Sequence, residues 1–399
     1  MQATRCSTAR NTEEKCLRTM SNPNYSQQKN NNDGVFLSSY DNTLIFIVLF
    51  LIIVGFLAIF SAGAPKCIIQ GTHSTFFVAR QFVWFILGCI GMFTISQINY
   101  KALNKLSLPF AWIIIVLLIG VHFFGTTVNG AQRWLTLGPI QFQPSEAAKL
   151  SVIMLLASAF SKDINLFNSR LYKYYIPILI MVGLIFKQPN LSMVLILLAS
   201  SMFMYFAAGG SIKLIMSAIG MGIFGLSFVF HSYQKQRIET WLHPEADPYG
   251  AGYNIIQSML AFVAGGFFGE GYGNSRQKLG WLPEGHTDFI YAVFAEEFGF
   301  IGCLLIIGLF LAFLQRGLLI SAKCEDIFGK LLAAGITVSI CLQAFINISV
   351  ASSMLPATGV PMPFISYGGT SLFITMCMIG VLLNISKKRI RRFPSVRQQ

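Results

Sequence analysis

The sequence predicts an all-α, polytopic membrane protein, one domain of ten transmembrane helices with a large outer loop between the seventh and eighth. Three observations predict it. The chain is 54% hydrophobic and only 11% charged, whereas soluble domains carry roughly a quarter charged residues. Apolar runs near the ~20 residues that span a bilayer recur at 44–62, 77–97, 106–124, 147–160, 174–187, 190–208, 212–230, 289–314, 328–351 and 364–386. Finally, the basic residues are lopsided. With both termini on the cytoplasmic side, most Lys and Arg fall inside, including Arg5, Lys101, Lys105, Lys162, Arg170, Lys173, Lys213, Arg316, Lys323 and the 387–392 run. The outside keeps Lys66, Arg133, Lys187, Lys235, Arg237, Arg276 and Lys278. That is the positive-inside pattern, and an odd number of spans would break it.

Residues 1–42 are polar, rich in Asn, Ser and Gln, and are expected to form a disordered cytoplasmic tail. They lack the apolar core of a signal peptide. The membrane domain is expected over 43–386 and a basic cytoplasmic tail over 387–399, suited to anionic headgroups. The fourth and fifth runs are short, so those helices must tilt or extend into their flanks. Arg80 can snorkel from the second span, and His122 in the third is expected to be a packed residue. The net charge of +13 is mostly a topology signal, because scattered basic loops make no nucleic-acid face. Of the eight Cys only Cys67 falls outside, so no disulfide framework follows. No His/Cys group has metal-ligand spacing, and no phosphate loop or nucleophile elbow occurs.

The polar chemistry gathers in three places. The outer loop 231–288 runs through Trp241, Asp247-Pro248 and Gly252-Tyr253 to the glycine-rich 265–273. Its 253–268 stretch reads as an interfacial or re-entrant helix, too short to span. The loop ends in Leu282-Pro283-Glu284-Gly285-His286-Thr287-Asp288, just before an apolar run interrupted by Glu296 and Glu297. A carboxylate at the mouth of a membrane helix is a functional candidate by default, which singles out Asp288. His286 is expected to be structural. The second cluster holds Gln132, Arg133, Trp134, Gln143, Pro144, Ser145, Glu146 and Lys149. Ser145 is expected to cap a helix starting at Glu146, and Glu146 and Lys149, three apart, share a face. They are either a self-contained ion pair or part of a cavity shared with Asp288. The third cluster is Asn347, the Pro/Gly-broken 354–363, and Ser366-Tyr367-Gly368-Gly369. Irregular backbone at membrane depth survives only when buried in protein or lining a cavity.

Together these segments resemble the SEDS family (shape, elongation, division and sporulation). The matching motifs are Gly130-Ala-Gln-Arg-Trp-Leu135 with Gln143-Pro-Ser-Glu-Ala-Ala-Lys149, Asp247-Pro with Gly252-Tyr253, Leu282 to Phe289 with Glu296-Glu297, and Leu355-Pro-Ala-Thr-Gly359 with Ile365-Ser-Tyr-Gly-Gly369. The order is right and only 1–42 lies outside it. The run 273–279 is similar to the division branch more than the elongation branch. Asn190 departs from the Asp common at that position, which removes a charge there.

The resemblance implies a peptidoglycan glycosyltransferase that polymerises lipid II at the outer face of the cytoplasmic membrane, at the division septum. The family's proposed essential carboxylate falls on Asp288, read as general base. Substrate contacts are expected from Arg133, Trp134, Gln143, Glu146, Lys149, Ser366, Tyr367 and Gly368, with Arg133 and Lys149 on the pyrophosphate. In a second arrangement Lys149 pairs with Asp288. A divalent cation, Mg or Mn, could share the charge, with its ligands unassigned. The implied partners are lipid II, a class B penicillin-binding protein transpeptidase, other divisome proteins and membrane lipid, but not nucleic acid. Competing readings are a lipid II flippase, an elongation polymerase, and a scaffold for the transpeptidase.

Overall fold

The computed structural model describes residues 36–391, apart from 70, 129–130, 139, 167, 230–231 and 251. Most of the 1–42 tail and the end of the basic tail therefore lie outside the described residues. The chain divides into two units. In the smaller, strand β1 (Phe36–Ser39) pairs antiparallel with β5 (Lys388–Arg391), Phe36 opposite Arg391. Neither strand was expected.

The larger unit, 41–386, is helical. Its helices are α1 (Asn42–Ile69), α2 (Phe76–Gln97), α3 (Lys101–Phe124), α4 (Pro144–Phe160), α5 (Tyr172–Lys187) and α6 (Leu191–Ala207). They continue as α7 (Ile212–Val229), α8 (Ser232–Leu242), α9 (Tyr253–Gly265), α10 (Ile290–Lys323), α11 (Ile327–Ala351) and α12 (Gly369–Ser386). Each of the ten expected spans coincides with one helix; α8 and α9 are the additional ones. Seven described helices are long and apolar enough to cross a membrane. The fourth gains its length by starting at Pro144, and the fifth by extending back through a 3-10 turn to Ser169. Pro144 sits at the first helical position, where its missing N–H costs nothing. Gln143 is therefore the N-cap, and the expected Ser145 cap is not made; Ser145 Oγ is buried without a hydrogen-bond partner among the described residues.

Burial ranks the helices. The most apolar window of α11 is 83% buried and that of α2 only 11%, so α11 is central and α2 peripheral. Every residue of α4 is buried. Helix α2 packs along α12, α10 along α11 and α1, and α4 against α3 and α11. A polar side chain on α4 or α11 thus faces other helices, where it must find a partner. His122, expected to be packed, is instead exposed on α3. Arg80 lies 5.8 Å from the centre of the Phe76 ring.

The segment 126–142 is a small antiparallel sheet rather than a plain loop. Strand β2 (Thr126–Val128) pairs with β3 (Ala131–Leu137), which pairs with β4 (Ile140–Phe142). Helix α9 has 13 residues, about 20 Å of helix, and does not cross a membrane. It packs on α10.

The glycine-rich stretch after α9 closes onto α10 by carboxylate chemistry. Glu296 accepts from Ser275 Oγ and from the Arg276 and Gln277 amides. Glu297 accepts from Ser61 Oγ and pairs with Lys278 at 2.8 Å. Helix α10 breaks at Gly299, where φ is +64° and a Cβ would stand 2.4 Å from Gly269 N; only glycine allows that approach. These two glycines, at least, serve loop closure and packing. Lys278 and Glu297 are both almost inaccessible, at 6% and 1%. Glu297→Ala strands a buried ammonium and should destabilise the protein by about 3 kcal/mol, read as a lower midpoint in detergent thermal unfolding.

Candidate functional site around Asp288

Asp288 lies two residues before α10, at the end of the turn-rich 280–289 segment. Three residues hold its loop. Asn347, on α11, donates from Nδ2 to the Asp288 carbonyl and to the Val360 carbonyl, both at 2.8 Å. Ser366 Oγ donates to the Thr287 carbonyl at 2.6 Å and accepts from the Met362 amide at 2.8 Å. The Tyr367 amide donates to the His286 carbonyl. The carboxylate's loop is therefore bonded by backbone and side chain to the proline-broken segment 354–368, and α11 carries both.

The reason that segment is irregular is local. Pro356, Pro361 and Pro363 cannot donate to a helix, so the expected start of the last span at 364 moves to Gly369. Phe364, at φ +66°, sits in the left-handed region, a conformation that surrounding contacts must impose. Gln81 of α2 supports the next turn, donating to the Ser366 carbonyl and accepting from the Gly368 amide.

Cations approach from two other elements. Arg133, on β3, donates to the carbonyls of Gln188 and Pro189 in the turn between α5 and α6. Arg237, on α8, donates to the Ala357 carbonyl at 2.9 Å, and Trp241, one turn on, to that of Ser353. Gly359 marks the meeting point. A methyl group there would lie 3.5 Å from Asp288 Oδ2 and 3.7 Å from Arg133 Nη1. Asp288 is half-buried. Burial pushes its carboxyl up to about 6; Glu284 adds to the rise, and Arg133 and Arg237 oppose it. His286 goes the other way. Burial pushes it down to about 4, with Lys66 adding to the fall, so it is neutral near pH 7. It packs 4.8 Å from Phe77, as a structural residue would.

The Glu146–Lys149 pair occupies a separate, drier place. Its N–O distance is 2.7 Å, and both side chains are almost completely inaccessible. Lys149 also donates to Gln343 Oε1, whose Nε2 donates to the Pro361 carbonyl. Ser371 Oγ donates to Glu146 Oε2 at 3.2 Å. Lys149 is thus bound to Glu146 and Gln343, and the arrangement pairing it with Asp288 is corrected. The two clusters are nonetheless linked. Gln343 and Asn347 are four apart on α11 and share a face. One holds Pro361 and the ion pair, the other Val360 and Asp288.

Of the remaining expected contacts, Ser366, Tyr367 and Gly368 border the Asp288 loop. Gln143 is buried at the N-cap of α4, and Trp134 is half-buried on β3 opposite Thr126. Asn190 caps α6 by accepting from the Met193 amide, a task its amide performs without the charge of an Asp. Three supporting residues, Gln81, Arg237 and Gln343, were not among the expected site residues. The amides at 343 and 347, four apart in an otherwise apolar span, were the signal for the last.

The cell cycle protein family model of FtsW, RodA and SpoVE matches residues 42–391. The chain belongs to this family. It is 38% identical to the probable peptidoglycan glycosyltransferase FtsW of Trichlorobacter lovleyi over 360 residues, 88% of this chain and 94% of that protein. It is 36% identical to the peptidoglycan glycosyltransferase MrdB of Escherichia coli K12, over 88% of this chain and 94% of that one. A chain from a peptidoglycan synthase complex that coordinates polymerization and crosslinking superposes with a TM-score of 0.73 at 29% identity, covering 87% of this chain and 98% of that chain. As a SEDS protein this chain is a multi-pass membrane protein. Of the segments that carry the resemblance, Arg133, 282–289 and 355–369 come together at Asp288.

Proposed function

We propose that this chain is a peptidoglycan glycosyltransferase that polymerises lipid II at the outer face of the cytoplasmic membrane, in septal wall synthesis. The observation that carries the reading is Asp288 itself, a half-buried carboxylate whose pKa burial raises and whose charge Arg133 and Arg237 favour. Relatives named as peptidoglycan glycosyltransferases support it over most of the chain.

In this reading Asp288 takes the proton from the attacking sugar hydroxyl as that oxygen bonds to the anomeric carbon of the other saccharide. The anomeric carbon–oxygen bond to the pyrophosphate breaks, and the polyprenyl pyrophosphate leaves with the electron pair. A base is most effective with a pKa near the working pH, which burial supplies here. Arg133 and Arg237 face the charge that grows on the leaving group, and fixed cations in a partly dry cleft stabilise it well. Trp134, Tyr367 and Gly368 are the nearby candidates for contacts to the rest of the substrate. Glu284 beside Asp288 is a carboxylate that would help hold a divalent cation such as Mg or Mn; when bound, it would add positive charge there. The partner proposed is a class B penicillin-binding protein transpeptidase within the divisome, in keeping with the synthase complex whose chain this one resembles. Both termini are proposed to be cytoplasmic.

The test is lipid II polymerisation by the purified full chain with its transpeptidase. Glycan strands are expected. Lipid II translocation in liposomes without polymer would replace the reading with a flippase. The rate should also rise with pH through about 6, because Asp288 must be ionised to accept a proton. A rate independent of pH between 5 and 8 would remove Asp288 as base.

A further inference from the structure

The family motifs leave one end of the molecule unused. At the end of α4 opposite Glu146, roughly 15–21 Å away along the helix, α4, α5, α6 and α7 enclose a cavity of about 360 Å³. Its walls are almost wholly carbon, from Leu156, Tyr175, Leu198, Met202, Leu214 and Ala218 among others. It opens sideways. Leu179, at its rim, is 70% exposed and Leu198 is 42% exposed, which in a membrane means contact with lipid chains. Three hydroxyls interrupt the carbon, those of Tyr175, Ser201 and Tyr205, and that of Ser201 donates to the Leu197 carbonyl. The Tyr175 hydroxyl is buried with no hydrogen-bond partner among the described residues, and a buried hydroxyl is costly to leave unmatched. Such volume and lining suit a ligand that is mostly hydrocarbon with a single acceptor near its polar end.

The rim says which hydrocarbon. The segment joining α4 to α5 and the first turns of α5 and α7, at the same end, carry Lys162, Arg170, Lys173 and Lys213, all exposed. Asp163 is the acidic residue among them, and it is engaged by the Asn165 amide and the Asn168 side chain. Tyr174 gathers two of the lysines: Lys162 donates to its hydroxyl, and Lys173 Nζ lies 5.3 Å from its ring centre. A basic cluster directly beside an apolar slot attracts anionic headgroups.

We propose that this end of the α4–α7 group binds an anionic phospholipid of the surrounding bilayer. One acyl chain fills the cavity, the phosphate sits among the basic residues, and the Tyr175 hydroxyl donates to an ester oxygen. The site stands apart from Asp288 and is independent of whether the chain transfers sugars.

The full chain would be reconstituted in phosphatidylcholine nanodiscs doped with phosphatidylglycerol bearing a diazirine at the acyl terminus. A phosphatidylcholine probe of the same design is the control, and adducts are mapped by mass spectrometry. Phosphatidylglycerol should label Leu156, Met202 and Leu214 several-fold more than the control does. Ala218→Trp, which fills the cavity, should abolish those adducts. Lys162→Gln and Lys173→Gln, at exposed positions that leave the fold intact, should each weaken them roughly fivefold. Equal labelling by both probes, or adducts spread evenly over lipid-facing helices such as α2, would overturn the proposal. So would full displacement by undecaprenyl phosphate, which would assign the cavity to the substrate's tail instead.

Discussion

Asp288→Ala should lower lipid II polymerisation by at least a hundredfold while leaving the fold and the transpeptidase complex intact. The magnitude follows from losing a positioned general base, which contributes about 10²–10⁴. The stability half of the expectation follows from the carboxyl's raised pKa. Burial lifts it from the usual carboxylate range to about 6, so the folded state disfavours its ionised form. Stability tied to this group is full well below pH 4 and is lost as pH rises through about 6. At pH 7.5 the wild type therefore carries an electrostatic cost that alanine removes, and the thermal midpoint of Asp288→Ala should equal or exceed that of wild type. The backbone contacts that hold this loop survive the substitution, because Asn347 bonds the Asp288 carbonyl rather than its side chain. A residue that costs stability and is still present is one that function has retained. Wild-type polymerisation by a well-folded Asp288→Ala would refute the assignment; a variant that neither folds nor binds its partner would make the residue structural.

The helical frame was legible because lipid imposes a strong rule. Twenty apolar residues and a charge bias across loops suffice to locate ten spans, and each coincides with a helix. The failures cluster where something other than hydropathy decides. The break at Gly299 follows from the approach of Gly269, thirty residues earlier and across an interface. The small sheet at 126–142 is built from segments too short to show a period. Tertiary pairing, not propensity, brings 36–39 against 388–391. Within the site, Asp288 was legible as a charge out of place, and Glu146 with Lys149 as a pair three apart. Their partners were not. Arg237 is fifty-one residues from Asp288, in a loop whose fold no local pattern fixes. Gln343 is marked only by its spacing from Asn347, and Gln81 by nothing local; which carbonyls they hold is fixed by tertiary packing.

Removing Lys149 should be the most destabilising single change in the molecule. Lys149→Ala leaves the Glu146 carboxylate in the fully buried α4, where, among the described residues, Oε1 already lacks a hydrogen-bond partner and Oε2 keeps only Ser371. Breaking a buried pair on one side costs about 3–5 kcal/mol, and Gln343 loses its donor as well. The consequence spreads along α11. Gln343 then has no reason to hold its rotamer against Pro361, and the neighbouring bonds from Asn347 to Val360 and Asp288 depend on the same segment. Polymerisation should fall with stability, although Lys149 is remote from solvent. A double variant separates the two explanations. Glu146→Gln with Lys149→Met removes both charges while nearly preserving volume, and replacement of a buried pair by uncharged groups is often close to neutral. Its thermal midpoint should recover most of the loss, and polymerisation should recover with it, because the pair acts by fixing the segment that carries Asp288. A double variant that is as stable as wild type but does not polymerise would instead place the ion pair in contact with the substrate.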